Sequence, residues 1–292
     1  MVLARQRTPM DHRPVGVFDS GIGGLSILQA LRAELPAEPF VYVADSGHAP
    51  YGERDDTHVI ARTESILTYL RRHHHIKALV VACNTATAAA IAGLRRQHGD
   101  MALVGVEPAL KPARSLTTTG VIGVLATQGT LASEKFNRLL AALEGPVRFR
   151  LQPCNGLAEA IEQATVTTDN EKTIALIDRY TTGIGPFGTK PGEIDTVVLG
   201  CTHYPLVADI IQAAVGPGVR LLEPGRPVAR QLRRLLEESG SLHPARPHGQ
   251  PGSASFLSTG EPSLLARAAQ QWLGLGSASV QYTPIGTAPA KN

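Results

Sequence analysis

Two short stretches carry residues able to do chemistry. "VVACNTATAAA" (80–90) and "VVLGCTHYPLV" (197–207) each run from an apolar segment fit for a buried strand into a cysteine. A polar pair follows each, Asn84 and Thr85 in the first and Thr202 and His203 in the second. The carboxyl ends of strands are where open parallel α/β sheets bind ligands. Oriented N–H groups at a following helix stabilise a thiolate there. Two opposed thiols suit one reaction class. A thiolate takes a proton from one face of a carbon centre, a thiol delivers a proton to the other face, and the centre inverts. An isolated cysteine is better read as a small buried hydrophobe, and Cys154 in "LQPCNGLAEA" is read that way. Cys83 and Cys201, in matching turns, are read as the acid/base pair.

His203 sits in the second cysteine turn, where an imidazole that changes charge near neutral pH can polarise the thiol. Asp19 and Ser20 close the first strand in "VGVFDSGIGG" (15–24), and this strand-end position favours a site role over mere turn formation. Asn84 and Thr85 are expected to cap the next helix, which is compatible with binding a ligand. "SGIGG" is an incomplete G-x-G-x-x-G, because Ser26 occupies the last glycine position, so a nucleotide is not expected. Its glycines are expected to let the backbone turn tightly and approach the ligand. Three adjacent histidines, His73 to His75, cannot all face one ion and suit a helix C-terminus; no metal site is read.

The elements that must position these residues follow an alternating pattern. Strands are expected at 15–19, 40–45, 78–83, 103–108, 121–127, near 195–201 and at "VRLLEP" (219–224). Leucines and isoleucines at helical spacing lie between them, as in Leu25, Leu28, Leu31 and Leu35. Ser133 is an expected N-cap, with Gly145 beyond that helix. Such alternation implies mainly parallel sheets covered by helices. The second half restarts the first: Gly16 and Gly123 open similar strands 107 positions apart, and the cysteine strands are offset by 118. The fold class expected is therefore α/β, with two pseudo-symmetric parallel-sheet domains and the active site between them. The first domain is expected to comprise residues 1–105 plus 223–292, the second 106–222, with hinges near 106 and 222.

Composition narrows the classes of function. The 292 residues carry 28 Lys+Arg against 25 Asp+Glu, a net +3 too small to imply nucleic acid. "RQLRR" (230–234) continues a leucine stripe and reads as a solvated helix face. The most apolar window is broken by Lys77, Asn84, Thr85 and Thr87, so no membrane span is expected. Three widely spaced cysteines without CxxC suit free thiols in a reducing cytosol, and the N-terminal arm lacks the apolar region of a secretion signal. Residues 183–193 and 241–252 read as long surface loops able to tune domain motion or subunit contacts.

Taken in order, "GVFDSGIGGLS", "YVADSGHAPYGER", "VVACNTATA", "GVEPA" and "VVLGCTHYPL" resemble the glutamate racemases, cofactor-independent members of the aspartate/glutamate racemase superfamily. The resemblance runs from about residue 15 to "LSTGEP" near the tail. It implies that Cys83 and Cys201 are the acid/base groups. It implies that Asp19 and His203 assist the first and second thiol, and it places a helical glutamate near the second thiol at Glu162. It also implies substrate contacts from Asp19, Ser20, Tyr51, Gly52, Asn84, Thr85, Thr202 and His203. The implied substrate is glutamate, the implied assembly a homodimer, and the implied role the supply of D-glutamate for peptidoglycan. Glu223 and Pro224 stand where an Asp-Ser sequence is expected, which looks like a hinge or packing position. An aspartate racemase with the same pair, and a binding protein that retains the pocket without turnover, are the alternatives.

Overall fold

The computed structural model describes residues 11–143, 145–245, 250–276 and 278–286. Residues 246–249 of the second long loop, and the first ten residues of the N-terminal arm, lie outside the described residues. The first half contains β1 (Val15–Asp19), α1 (Leu25–Glu34), β2 (Phe40–Ala44), α2 (Asp56–His74), β3 (Ala78–Val81), α3 (Asn84–Gln97) and β4 (Ala102–Gly105). Then come α4 (Leu110–Leu116), β5 (Val121–Ala126), α5 (Gln128–Ala132), α6 (Glu134–Ala141), β6 (Arg148–Pro153), α7 (Leu157–Thr167) and α8 (Glu171–Ile184). The chain continues through β7 (Thr196–Gly200), α9 (Ala208–Val215), β8 (Arg220–Leu222), α10 (Gly225–Glu238), β9 (Ala254–Ser258), α11 (Pro262–Leu273) and β10 (Val280–Tyr282).

The strands form two sheets in the orders β10-β9-β2-β1-β3-β4 and β6-β5-β7-β8, with every pair parallel. This is the two-domain α/β fold. In the first sheet the chain leaves β1 for β2 on one side and β3 for β4 on the other. The direction of winding therefore reverses between β1 and β3. In the second sheet it reverses between β5 and β7 for the same reason. Helices diverging from such a reversal leave a crevice beyond the strand ends. Ser20 and Cys83 follow β1 and β3; Thr127 and Cys201 follow β5 and β7. The reversals thus set both cysteines beside crevices.

Side chains alternate across each strand, so each sheet feeds two apolar clusters. Val15, Val17 and Val80 join Leu125, Val197 and Leu199 in one cluster that runs from sheet to sheet, together with Leu28 and Leu31 of α1 and Leu232 of α10. On the outer face of the first sheet, Phe18, Leu79 and Val81 pack on Ile66, Leu70 and Ile91. On the outer face of the second, Ile122, Val124 and Val198 pack on Leu110 and Phe136. Strands β9 and β10 return to the first sheet, and α10 packs on α1. In α10, Arg233 and Arg234 pair with Glu34 and Glu238 around buried Leu232 and Leu236, the solvated face that "RQLRR" suggests.

Several boundaries differ from the sequence reading. β3 ends at Val81, and Cys83 becomes the N-cap of α3, its Sγ accepting from Ala86 N at 3.5 Å. Asn84 and Thr85 are therefore the first helical residues and not the caps. Ser133 does cap α6 by accepting from Phe136 N. His73 and His74 finish α2, and His75 leaves it with a left-handed φ of 50°. Residues 183 and 184 belong to α8, so the first long loop begins at Gly185. Glu223 and Pro224 lead directly into α10.

Asp195, just before β7, ties the second sheet to the turn ahead of β5. It accepts from Thr117 Oγ1 (2.7 Å), Thr118 N (2.6 Å), Thr118 Oγ1 (2.8 Å) and Thr119 N (3.0 Å). Burial alone would raise its pKa, but these donors override burial and lower it from 3.8 to about 2. A depressed carboxylate contributes stability above its unfolded pKa and loses it as pH falls through the folded one. At about 1.4 kcal/mol per unit, Asp195→Asn is expected to cost roughly 2 kcal/mol at neutral pH. Urea unfolding should show that gap closing between pH 3.8 and about 2. A gap unchanged over that window would contradict the assignment.

Candidate active site

A cavity of about 210 Å³ opens where the two sets of strand ends meet. The first sheet contributes Ser20, Cys83, Asn84 and Thr85, joined by Tyr51 and Gly52 from the loop after β2. The second contributes Thr127, Cys201, Thr202 and His203, joined by Cys154 and by Glu162 of α7. Both cysteines are 5 % exposed, and all three cysteines are free thiols.

The two thiols have unlike surroundings. Cys83 Sγ lies 3.7 Å from Ser20 Oγ and takes the Ala86 N–H at the start of α3. Burial, reinforced by the nearby Asp19 carboxylate, pushes this thiol up to about 12, against the pull of those two hydrogen bonds. These surroundings favour the protonated thiol while the cavity is empty. Cys201 Sγ lies 3.7 Å from His203 Nδ1, and His203 Nε2 lies 2.8 Å from Glu162 Oε1. Burial would depress the imidazole, but its contacts with Cys201 and Glu162 prevail and hold it well above the usual histidine range. Doubly protonated, it donates to the sulfur on one side and to the carboxylate on the other.

Asp19 does not line the cavity. It is fully buried behind the wall, with Oδ1 accepting from Gly21 N (2.9 Å) and Oδ2 from Thr202 Oγ1 (3.0 Å). Burial raises its pKa, only partly opposed by His203 and by these donors. Asn84 has both side-chain amide atoms buried and unpartnered at the cavity wall. Orphaned polar atoms of this kind call for a ligand partner. Tyr51 is anchored from behind, its hydroxyl donating to Asp45 Oδ2 at 2.5 Å. Thr85 meets Thr127 at 3.1 Å between hydroxyls, a contact from one sheet's loop to the other's.

The glycines of "SGIGG" serve a different approach from the one expected. A Cβ on Gly21 would collide with Glu162, and one on Gly23 would collide with His203. They let the turn after β1 seat against protein side chains from the opposite half, not against the ligand. Ile22 N donates to Glu162 Oε1 (3.0 Å), and Ser26 Oγ donates to the Thr202 carbonyl (2.9 Å) across the same seam.

A family model described as Asp/Glu/Hydantoin racemase matches residues 24–232. The chain belongs to this racemase family. It is 44% identical over 261 residues to a glutamate racemase of Herpetosiphon aurantiacus, covering 89% of this chain and 98% of that one. It is 48% identical over 223 residues to a glutamate racemase of Ectopseudomonas mendocina, covering 76% and 82%. Among solved structures, glutamate racemase RacE1 from Bacillus anthracis superposes with a TM-score of 0.80 at 30% identity, covering 94% of this chain and all of that one. The Escherichia coli glutamate racemase in complex with L-glutamate and the activator UDP-MurNAc-ala gives 0.78 at 29%, covering 92% and 97%.

In this racemase-family chain the cavity gathers Cys83, Cys201, Ser20, Tyr51, Gly52, Asn84, Thr85, Thr202, His203 and Glu162, with Asp19 behind. Sequence reasoning missed Thr127 and placed Cys154 in the core. Thr127 was within reach of the repeat: the 107-residue offset from Gly16 to Gly123 carries Ser20 onto Thr127. Cys154 is indeed buried, and burial pushes its thiol up to about 12, yet it also forms part of the cavity wall.

Proposed function

We propose that this chain is a glutamate racemase that interconverts L- and D-glutamate between two thiols, without a cofactor, and supplies D-glutamate for peptidoglycan synthesis. The observation that carries the reading is the placement of Cys83 and Cys201 at the two winding reversals, lining one cavity with different proton partners. The relatives' shared name, glutamate racemase, supports the substrate. The cycle balances as follows. A thiolate on one side takes the α-proton, and the electron pair passes to the α-carbon and its carboxylate. The thiol on the other side then gives its proton to the opposite face, leaving the two sulfurs with exchanged protonation.

The start of α3 supplies N–H groups suited to a carboxylate, with the Asn84 amide and the Thr85 and Thr202 hydroxyls beside it. Fixed donors of this kind stabilise developing charge without reorganising. In this reading Asp19 orients the turn beside Cys83, and His203 with Glu162 serves Cys201. Domain boundaries at 1–105 plus 223–292 and 106–222, with hinges near 106 and 222, fit the division of strands between the sheets. Among the described residues no helix is long and apolar enough to cross a membrane. A cytoplasmic homodimer completes the proposal, on the family resemblance.

The deciding experiment incubates the purified protein with L- or D-glutamate in D₂O, with aspartate in parallel. Loss of optical rotation with deuterium entering the α-position of the product is expected with glutamate. Unchanged rotation with both enantiomers would sink the proposal, and faster turnover of aspartate would move the substrate. A second prediction concerns His203. Glu162→Gln removes the carboxylate partner of the imidazole and lowers its pKa. The alkaline limb of the kcat/KM profile is expected to move to lower pH. An unmoved limb would remove Glu162 from the second acid/base group.

A further inference from the structure

The turn after β1 touches the surroundings of both thiols, and cavity-wall residues hold it from one side. Ser20 faces Cys83, Asp19 binds Thr202, and Ile22 N binds the Glu162 that partners His203. A second hold comes from below. Tyr42, in the middle of β2 and completely buried, donates its hydroxyl to the Gly21 carbonyl at 2.7 Å. Its ring rests against Phe256 of β9, with centroids 6.1 Å apart. A Cβ on Gly24 would sit 2.8 Å from the Tyr42 oxygen and 2.6 Å from Asp19 Cβ, so the turn is drawn tightly over the phenol. Tyr42 is not among the cavity-lining residues.

We propose that Tyr42 is a positioning residue for both halves of the acid/base machinery, acting through the hydrogen bond that its hydroxyl donates to the Gly21 carbonyl, with the Gly24 N–H on its other side. The inference rests on the racemase reading and extends it. The phenol has one proton to give, and it gives it to a carbonyl, so its orientation is fixed. Burial, with Asp19, Glu162 and Cys83 close by, raises the phenol far above its ordinary range, so it keeps that proton at every working pH. A neutral, immobile donor at this point pins Gly21. Gly21 lies between Ser20, which serves Cys83, and Ile22, which serves Glu162 and through it His203 and Cys201. Without the hydroxyl the carbonyl is buried without a donor and the turn relaxes. A small displacement of reacting groups costs rate steeply.

The test is Tyr42→Phe, which keeps the ring and removes only the hydroxyl, beside Phe256→Leu, which trims the ring's neighbour and keeps the hydrogen bond. In the folded Tyr42→Phe protein, kcat is expected to fall about tenfold to a hundredfold in both directions, with KM changed far less. The α-deuterium isotope effect on kcat should rise, because proton abstraction becomes slower than the other steps. Hydrogen exchange of the peptide spanning residues 20–25 should quicken by about tenfold in the same protein. Phe256→Leu should leave kcat close to wild type. Wild-type kcat and exchange in Tyr42→Phe overturn the inference and leave the racemase reading intact. Equal losses in kcat for both variants also overturn it, since the effect would then be packing. A wild-type protein that leaves both glutamate enantiomers unchanged removes the racemase reading and this inference together.

Discussion

Cys83→Ala and Cys201→Ala are each expected to lose racemisation by about a hundredfold to ten-thousandfold while still exchanging the α-proton of one enantiomer. The two sulfurs line one cavity from opposite sheets, and in the proposed cycle each reaches the substrate from its own side. A variant with one thiol left can still remove a proton from the face it reaches. It can return a deuteron only to that face. In D₂O it should label one glutamate enantiomer without inverting it and leave the other unlabelled. The complementary variant should show the opposite preference. Proton NMR of the α-position, read beside optical rotation, separates exchange from inversion. Complete racemisation by either variant would remove the two-thiol mechanism. Labelling of both enantiomers by one variant would show that another group reaches the second face.

Arg62→Met is expected to have the largest effect on stability, about 3–5 kcal/mol. Asp45 and Arg62 are both fully buried, joined by Nε to Oδ2 at 2.9 Å and by Nη2 to Oδ1 at 2.7 Å. Tyr51 and Thr259 also donate to this carboxylate, and Arg62 Nη1 donates to the Ile285 carbonyl. Removing the guanidinium leaves a buried charge with only neutral donors and one histidine, His48, 3.2 Å away. Urea unfolding measures the loss. The double variant Asp45→Asn with Arg62→Met should recover part of it, because the unpaired charge is gone. A single variant within about 0.5 kcal/mol of wild type would mean that the pair is dispensable. The same change loosens the anchor of Tyr51, so any activity that survives should show a raised KM.

The strongest signals in the sequence came from strands buried on both faces. β1, β3, β5 and β7 are continuous apolar runs, and they are the strands that end at the cavity. β6 escaped notice because "RFRLQP" is an edge strand, exposed or half-exposed at each position, with no apolar run. β9 and β10 escaped too, since they are short strands closing the first sheet from far along the chain. Cys83 and Cys201 were legible because cysteine is rare here and each ends such a run. The contacts across the seam were not legible. Ile22 with Glu162 and Asp19 with Thr202 join residues 140 and 183 positions apart, and nothing local in the sequence pairs them. The purpose of Gly21 and Gly23 is set by those same distant partners, so a local reading assigned them to a ligand. Asn84 was legible as a polar residue at a strand end, but its orphaned amide shows only once the fold has taken water away from it.

The unlike settings of the two thiols have a consequence for direction. Cys83 lies beside a serine hydroxyl and a helix start, whereas Cys201 lies beside an imidazole paired with a carboxylate. Nothing makes the two half-reactions equally fast. Yet L- and D-glutamate are mirror images with equal free energies in water, so the equilibrium constant of their interconversion is one. The Haldane relation then requires kcat/KM to be identical in the two directions. All the asymmetry of the site must appear as matched differences in kcat and KM: the enantiomer that turns over faster is also the one held more loosely at half-saturation. Any substitution in this cavity, however one-sided its place, must change both kcat/KM values by the same factor.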